Sequence, residues 1–171
     1  EILQKREDTV VAGKDISLES LYEVGTSAGG QHTKAIIARN NRTGEIRSGQ
    51  ILLPSEYTYY ILKFAEKDYY PLTIIEMVYS EMAKLAGITM MPSELIKIDG
   101  DYHFLTERYD RKEGKKVHTQ TLAAMNPEAS SYEDLMDVCD ELNLPYKEKE
   151  ETYRRMVFNI LTTNVDAHIQ N

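Results

Sequence analysis

The segment Tyr57-Thr58-Tyr59-Tyr60-Ile61-Leu62-Lys63-Phe64 constrains this chain more than any other stretch. Its density of aromatic and β-branched residues fits a strand. Side chains alternate along a strand, so Lys63 shares a face with Ile61 and Tyr59, while Leu62 and Phe64 take the other. Apolar residues on both faces predict a strand covered on both sides. A lysine there needs an anion or a route to water. The following helix offers the anion. Pro71 opens and Gly87 closes a helix over 71–86. Leu72, Ile75, Tyr79, Met82, Ala83 and Ala86 recur at helical spacing and form its predicted buried stripe. Glu76 falls inside that stripe. A core-facing carboxylate is costly unless it meets a cation, and Lys63 is the natural partner. Two plainer readings stay open: Lys63 as an edge-strand lysine that discourages aggregation, and Glu76 reaching water from the edge of the stripe.

Around this pair the chain reads as two unequal parts. Asp15 to Tyr22 predicts a short helix with Asp15 as N-cap. Gly25-Thr26-Ser27-Ala28-Gly29-Gly30 is too rich in glycine for helix or strand and predicts a loop. Lys34 to Arg39 reads as a buried strand, with a short partner near 45–48 after the turn at Asn40 to Gly44. Ser93 to Ile98 and Tyr102 to Glu107 flank Asp99-Gly100-Asp101, a hairpin signal. Residues 1–110 thus form a β-rich part with one main helix. After Asp110 the pattern turns helical, near 118–125, 131–143 and 148–163. The second of these puts Tyr132, Leu135, Met136, Cys139 and Leu142 on one stripe, and the third does so for Met156, Val157, Ile160 and Leu161. The fold class is α+β, with residues 111–171 as the second division.

Composition excludes several functions. The chain has 171 residues, with 20 Lys plus Arg against 28 Asp plus Glu, a net charge of −8. That balance disfavours broad neutralisation of nucleic-acid phosphates, although a local basic pocket for one nucleotide remains compatible with it. The single cysteine, Cys139, permits no internal disulfide and points to a reducing, cytoplasmic compartment. No apolar run approaches the ~20 residues that cross a bilayer, and the first residues carry no signal-peptide pattern. Neither end reads as a natural terminus, which predicts a piece of a longer protein.

Two further features bear on chemistry. Glycines at 25–30 let the backbone approach a ligand with its amides turned inward, a cradle for phosphate oxygens, and Thr26 and Ser27 add hydroxyls. A plain surface turn would look the same. Asp166 and Asn171 stand five residues apart after the last helix. Protein kinases place a catalytic aspartate and a Mg²⁺-holding asparagine at that spacing, a pattern that also arises by chance. The order of the four features matters more than any one of them. Glycine loop, strand lysine, helix glutamate and Asp/Asn loop follow one another as they do in kinases. His32 lies beside the glycine loop and reads more simply as a solvent-exposed loop residue. His168 reads as packing that holds the Asp166 loop. No Cys/His set, with His103 and His118 included, has zinc spacing.

The chain resembles the HipA-like serine/threonine kinases of bacterial toxin–antitoxin modules. The resemblance is carried by Thr26-Ser27-Ala28-Gly29-Gly30-Gln31-His32-Thr33-Lys34, Tyr60-Ile61-Leu62-Lys63-Phe64, Thr106-Glu107-Arg108-Tyr109-Asp110-Arg111, and Phe158-Asn159-Ile160-Leu161 running into Asp166-Ala167-His168-Ile169-Gln170-Asn171. It implies a two-lobed protein-kinase-like fold, with a β-rich N-lobe over 1–110 and an incomplete helical C-lobe over 111–171. It implies ATP and Mg²⁺ as cofactors. Asp166 is similar to the catalytic aspartate, Asn171 to a Mg²⁺ ligand, and Lys63 to the phosphate-contacting lysine with Glu76 as its partner. Ser27, Ala28, Gly29 and Gly30 correspond to the phosphate loop. Glu107 and Tyr109 resemble the adenine-binding hinge, with Asp110 toward the ribose. Ser27, or its neighbour Thr26, matches an autophosphorylated position that shuts down ATP binding. The resemblance also implies a protein substrate, a translation factor or an aminoacyl-tRNA synthetase, and a DNA-binding antitoxin partner.

Departures from the family pattern accompany these matches. A further Mg²⁺-binding aspartate lies downstream of the asparagine in kinases, beyond Asn171. The stretch Val117-His118-Thr119-Gln120-Thr121-Leu122 differs from the family's usual motif. The alternatives are a non-catalytic nucleotide-binding or interaction module, a truncated fragment, or a phosphotransferase acting on a small molecule.

Overall fold

Two adjacent residues, Asp99 (φ 51°) and Gly100 (φ 96°), reverse the chain between two strands, and both lie in the left-handed region. That is the type I′ geometry that matches strand twist, and it joins β4 (Ser93–Ile98) to β5 (Asp101–Glu107) in register Ile98↔Asp101. The computed structural model describes residues 17–25, 32–66 and 71–169. Within them β4 and β5 join β1 (Lys34–Asn40), β2 (Ile46–Ser48) and β3 (Tyr57–Lys63) in an antiparallel sheet of order β2-β1-β3-β5-β4. The strand carrying Lys63 is therefore central. The edge reading of Lys63 gives way, because β1 and β5 flank it.

The main core lies on one face of the sheet. Ala35, Ile37, Ile46, Tyr60, Leu62, Phe64, Ile98 and Leu105 bury there with Leu21 of helix α1 (Leu18–Gly25). Leu21 and Leu62 are wholly buried, each such side chain contributing roughly 1.5–3 kcal/mol. Tyr22 stacks on Phe64 with ring centroids 4.4 Å apart. The N-cap role expected of Asp15 falls to Ser17. Its Oγ accepts the Ser20 amide at 3.2 Å, and Asp15 lies outside the described residues. Asp99 Oδ2 accepts the Leu18 amide at 3.1 Å, tying this helix to the β4–β5 turn. On the opposite face Ala38, Tyr57 and Tyr59 form a second cluster with Leu53. Tyr59 Oη accepts the Leu53 amide at 2.8 Å and donates to Ile51 O at 3.0 Å, folding the 49–56 loop back onto the sheet.

Helix α2 (Leu72–Leu85) ends in a Schellman motif. Gly87 sits at φ 79°, its amide donates to Lys84 O at 3.0 Å, and the Ile88 amide donates to Ala83 O at 3.0 Å. The buried stripe is rotated from the predicted one. Thr73, Ser80 and Ala83 are buried, whereas Ile75, Tyr79 and Met82 are exposed. The physical reason is the anchor at the first turn: Thr73 Oγ1 donates to Tyr102 O of β5 at 2.7 Å and turns the polar side of the helix toward the sheet. Glu76 still faces inward, since it lies between Thr73 and Ser80 on the observed stripe.

The chain divides into two compact units. One groups the described residues up to Glu81 with Met91–Val117; the other groups Met82–Met90 with the residues from His118 on. The first also holds a small hairpin that the sequence did not suggest, β6 (Arg111–Lys112) and β7 (Lys115–Lys116), turned at Glu113 (φ 50°) and Gly114 (φ 73°). The second contains α3 (Leu122–Met125), α4 (Tyr132–Glu141) and α5 (Tyr146–Leu161). The helix predicted from 118 begins only at Leu122, because the Thr121 hydroxyl caps it by accepting the Ala124 amide. A capping box between Ser131 and Asp134 starts α4. The stripe predicted for α5 is half right: Met156 and Val157 are partly buried, but Ile160 and Leu161 are exposed. Among the described residues no helix is long and apolar enough to cross a membrane.

Gly49 and Gly44 separate two costs of adding a methyl group. A Cβ at Gly49 would stand 2.7 Å from Ile37 O and 2.8 Å from Ile36 Cγ2, whereas Gly44 (φ 75°) has open space around it. Gly44→Ala is expected to cost about 1 kcal/mol through backbone conformation alone. Gly49→Ala should cost more than about 2 kcal/mol, because the β1–β2 edge must shift. Urea unfolding of both variants checks this, and equal midpoints would contradict it.

Candidate functional site

Lys63 is the last residue of β3, and its Nζ donates to Glu76 Oε2 of α2 at 2.7 Å. The side chains are 34% and 35% exposed, so the pair borders solvent. At such exposure an ion pair adds only about 0–1 kcal/mol of stability. Its consequence is positional: the ammonium is held at one point at the end of the strand. The strand exit is braced from behind by His103, which is 1% exposed. Its Nδ1 accepts the Ala65 amide at 3.0 Å and its Nε2 lies 3.3 Å from Ile98 O. Those partners assign the neutral Nε2–H tautomer, with Nε2 the donor to the Ile98 carbonyl.

Two neighbours of this pair, Lys34 and Glu66, were not proposed as site residues from the sequence. Lys34 is the direct cross-strand partner of Lys63, so the two basic side chains stand on one sheet face. Like charges placed opposite repel, and the arrangement favours an anion beside them. Glu66 accepts the Thr33 amide at 3.2 Å and lies 3.5 Å from His32 Nδ1, fixing the chain where it leaves the glycine loop. His32, Lys63, Glu66, Thr73 and Glu76 line a common recess with Phe64, Ala65, Pro71 and Leu72. The His32 side chain is 41% exposed, as expected of a loop histidine, and it meets Glu66. The strand alternation could have flagged Lys34; no local pattern marks Glu66. Thr26, Ser27, Ala28, Gly29 and Gly30 lie outside the described residues, as does Asn171.

Glu107, Tyr109 and Asp110 follow one another off the end of β5. Pairing of β4 with β5 starts at Ser93↔Thr106, so the backbone from Glu107 on runs past the last paired residue of β4. The Glu107 amide donates to Pro92 O at 2.9 Å and the Arg108 amide to Tyr59 O at 2.8 Å. Tyr109 is 66% exposed. Asp110 accepts two bonds from Arg108, Nε at 2.8 Å and Nη2 at 2.7 Å, and one from Arg111 Nη1 at 2.6 Å. The fork of Arg108, with Arg111 beside it, holds the Asp110 carboxyl below the usual aspartate range. Both Asp110 oxygens are thus engaged in shaping this turn.

Asp166 belongs to the second unit, on the loop after α5. Its side chain is 90% exposed, and His168 Nε2 lies 4.0 Å from Oδ1. Its amide donates to Asn164 Oδ1 at 3.2 Å. The Ala123 amide of α3 donates to Ile169 O at 2.9 Å, which ties down the far end of the loop. Among the described residues no three His, Cys, Asp or Glu side chains gather as a metal site.

A mixed α+β chain with an antiparallel sheet, a lysine–glutamate pair at the end of its central strand and a helical second unit is thus defined. The family model "HipA-like C-terminal domain" matches residues 26–171, and the chain belongs to that family. No curated protein matches it. Among solved structures it is similar to HipA of Shewanella oneidensis MR-1, determined with HipB and its operator DNA. The TM-score is 0.58 at 18% identity, over 86% of this chain and 39% of that one. The likeness is one of fold, and the chain spans about two fifths of the length of that relative.

The depressed Asp110 carboxyl sets a pH dependence. A folded pKa below the unfolded one stabilises at pH above the unfolded value and loses that contribution as pH falls through the folded value. Asp110→Asn is expected to lower stability by about 1–3 kcal/mol at pH 7. The gap from wild type should hold down to about pH 5 and shrink below about pH 4. Urea unfolding across pH measures it; a gap that does not change with pH would contradict this account.

Proposed function

We propose that this chain is the nucleotide-binding and catalytic-loop portion of an ATP- and Mg²⁺-dependent serine/threonine protein kinase of the HipA-like toxin type. The observation that carries the reading is the Lys63–Glu76 bond of 2.7 Å, because the family resemblance requires that these two residues meet. Lys63, with Lys34 opposite, supplies positive charge for the phosphates, and Glu76 orients it. The Glu107 carbonyl and the Tyr109 backbone offer their groups to the adenine edge, the Glu107 amide being held by Pro92 O. Asp110 supports the ribose side from the turn it shapes. By the family resemblance residues 26–30 correspond to the phosphate loop, and Ser27 or Thr26 is the site of self-phosphorylation that shuts down ATP binding.

Asp166 orients the substrate hydroxyl and takes its proton. The hydroxyl oxygen bonds to the γ-phosphorus, the bond to the β-phosphate oxygen breaks, and ADP leaves. Mg²⁺, when bound, would neutralise phosphate charge; by family resemblance Asn171 is the residue of this chain that would ligate it. The rate gain comes from positioning and electrostatics. In this reading the β-rich residues 1–110 form one lobe and 111–171 begin the other, in the cytoplasm. The substrate is a protein hydroxyl, with a translation factor or an aminoacyl-tRNA synthetase as the class suggested by family resemblance. The HipA–HipB–DNA assembly of the Shewanella protein suggests a DNA-binding antitoxin as partner. The net charge of −8 favours a reading in which this portion itself makes no direct nucleic-acid contact, and no membrane contact is proposed.

The test uses the intact natural protein with γ-labelled ATP. Asp166→Asn should abolish self-phosphorylation while Mg-ATP still binds by calorimetry. Lys63→Met should weaken Mg-ATP binding at least about tenfold, the loss of one charge-assisted contact. Full activity of the Asp166 variant would refute the assignment. Wild-type binding without turnover would instead favour the non-catalytic module.

A further inference from the structure

The loop that carries Asp166 is held by a directed series of hydrogen bonds within the second unit. Asn159 of α5 donates from Nδ2 to Tyr132 Oη of α4 at 3.0 Å. Its Oδ1 accepts from Asn164 Nδ2 at 3.1 Å, and its backbone carbonyl accepts the Asn164 amide at 2.9 Å. Asn164 Oδ1 in turn accepts the Asp166 amide at 3.2 Å. Each amide side chain thus uses both its donor and its acceptor, and the series runs unbroken from α4 to the backbone of Asp166.

A second observation concerns the residue just before. Thr163 sits at φ 55°, in the left-handed region where a β-branched side chain is disfavoured. It occupies the position after the helix cap that glycine usually fills, because the Thr163 amide donates to Ile160 O at 3.2 Å and the Asn164 amide to Asn159 O at 2.9 Å. Backbone strain of this kind persists where surrounding bonds over-determine it, and it concentrates at functional sites. Here the over-determining bonds are those of Asn159 and Asn164.

We infer that Asn164 is the positioning residue for Asp166, with Asn159 and Tyr132 as its support. This rests on the kinase reading above. Asn164 touches no reacting atom; it sets where the Asp166 carboxylate points. Misplacing a catalytic group by about 1 Å costs on the order of 100-fold in rate without changing how tightly the nucleotide binds.

The experiment measures kcat and KM for ATP in self-phosphorylation of the intact natural protein, together with Mg-ATP calorimetry and thermal unfolding. Asn164→Ala should lower kcat by about 10- to 100-fold with KM for ATP unchanged within about twofold. Asn164→Ser, whose hydroxyl can still accept the amide two residues on, should recover most of that loss. Tyr132→Phe removes only the far acceptor, should lower kcat about threefold, and keeps the test decisive if the Asn164 variants fold poorly. An Asn164→Ala enzyme with wild-type kcat, a loss confined to KM, or no recovery with serine overturns the inference while the kinase reading stands. A wild-type protein without phosphoryl transfer overturns both.

Discussion

The bond between Lys63 and Glu76 joins the central strand to the one long helix of the first unit, and much of the sheet is arranged around its two ends. On the strand side, β1 and β5 flank β3, and His103 holds the residues just past Lys63. On the helix side, Thr73 anchors the first turn of α2 to β5 one turn before Glu76. Neither support is strong by itself. Together they fix a pair that contributes little to stability at its degree of exposure. A weak ion pair fixed by contacts on both its strand side and its helix side serves geometry more than stability.

The strands were legible because their signals were local. Alternation in Tyr57–Phe64 gave the face of Lys63, and Asp99-Gly100 gave the hairpin, since only a few residues accept two successive positive φ values. The inward placement of Glu76 was legible for a reason that did not survive. The apolar residues Ile75, Tyr79 and Met82 were expected to bury, yet they are exposed; Ala83 is buried as expected, and the polar Thr73 and Ser80 are buried beside it on the observed stripe. Periodicity reports that a helix has two faces; it does not report which face a single tertiary hydrogen bond will select. The same limit applies to Ile160 and Leu161 on α5.

Features depending on contacts between distant residues were not legible. Glu66 meets Thr33 across 33 positions, and Asn159 meets Tyr132 across 27, with nothing in either local stretch to mark the partner. The small β6–β7 hairpin turns on Glu113 and Gly114, a pair weaker as a signal than Asn-Gly or Asp-Gly. Asn164 stood two residues from a motif already singled out, and its bonds at both ends of the side-chain amide are visible only in the structure. Motif spacing marks candidate residues; the contacts that hold their loop lie outside the motif.

Tyr59 belongs to the same strand as Lys63. Its carbonyl takes the Arg108 amide, and its ring lies 5.7 Å from the Arg111 guanidinium carbon. The turn at 107–111 is thus registered on Tyr59, and the ammonium is registered four residues further on. At about 3.3 Å per residue the strand separates these two points by roughly 13 Å. β3 therefore acts as a ruler. A single-residue insertion between 59 and 63 would lengthen it by one step and also flip Lys63 to the opposite face, so this short span is the part of the chain least able to change length.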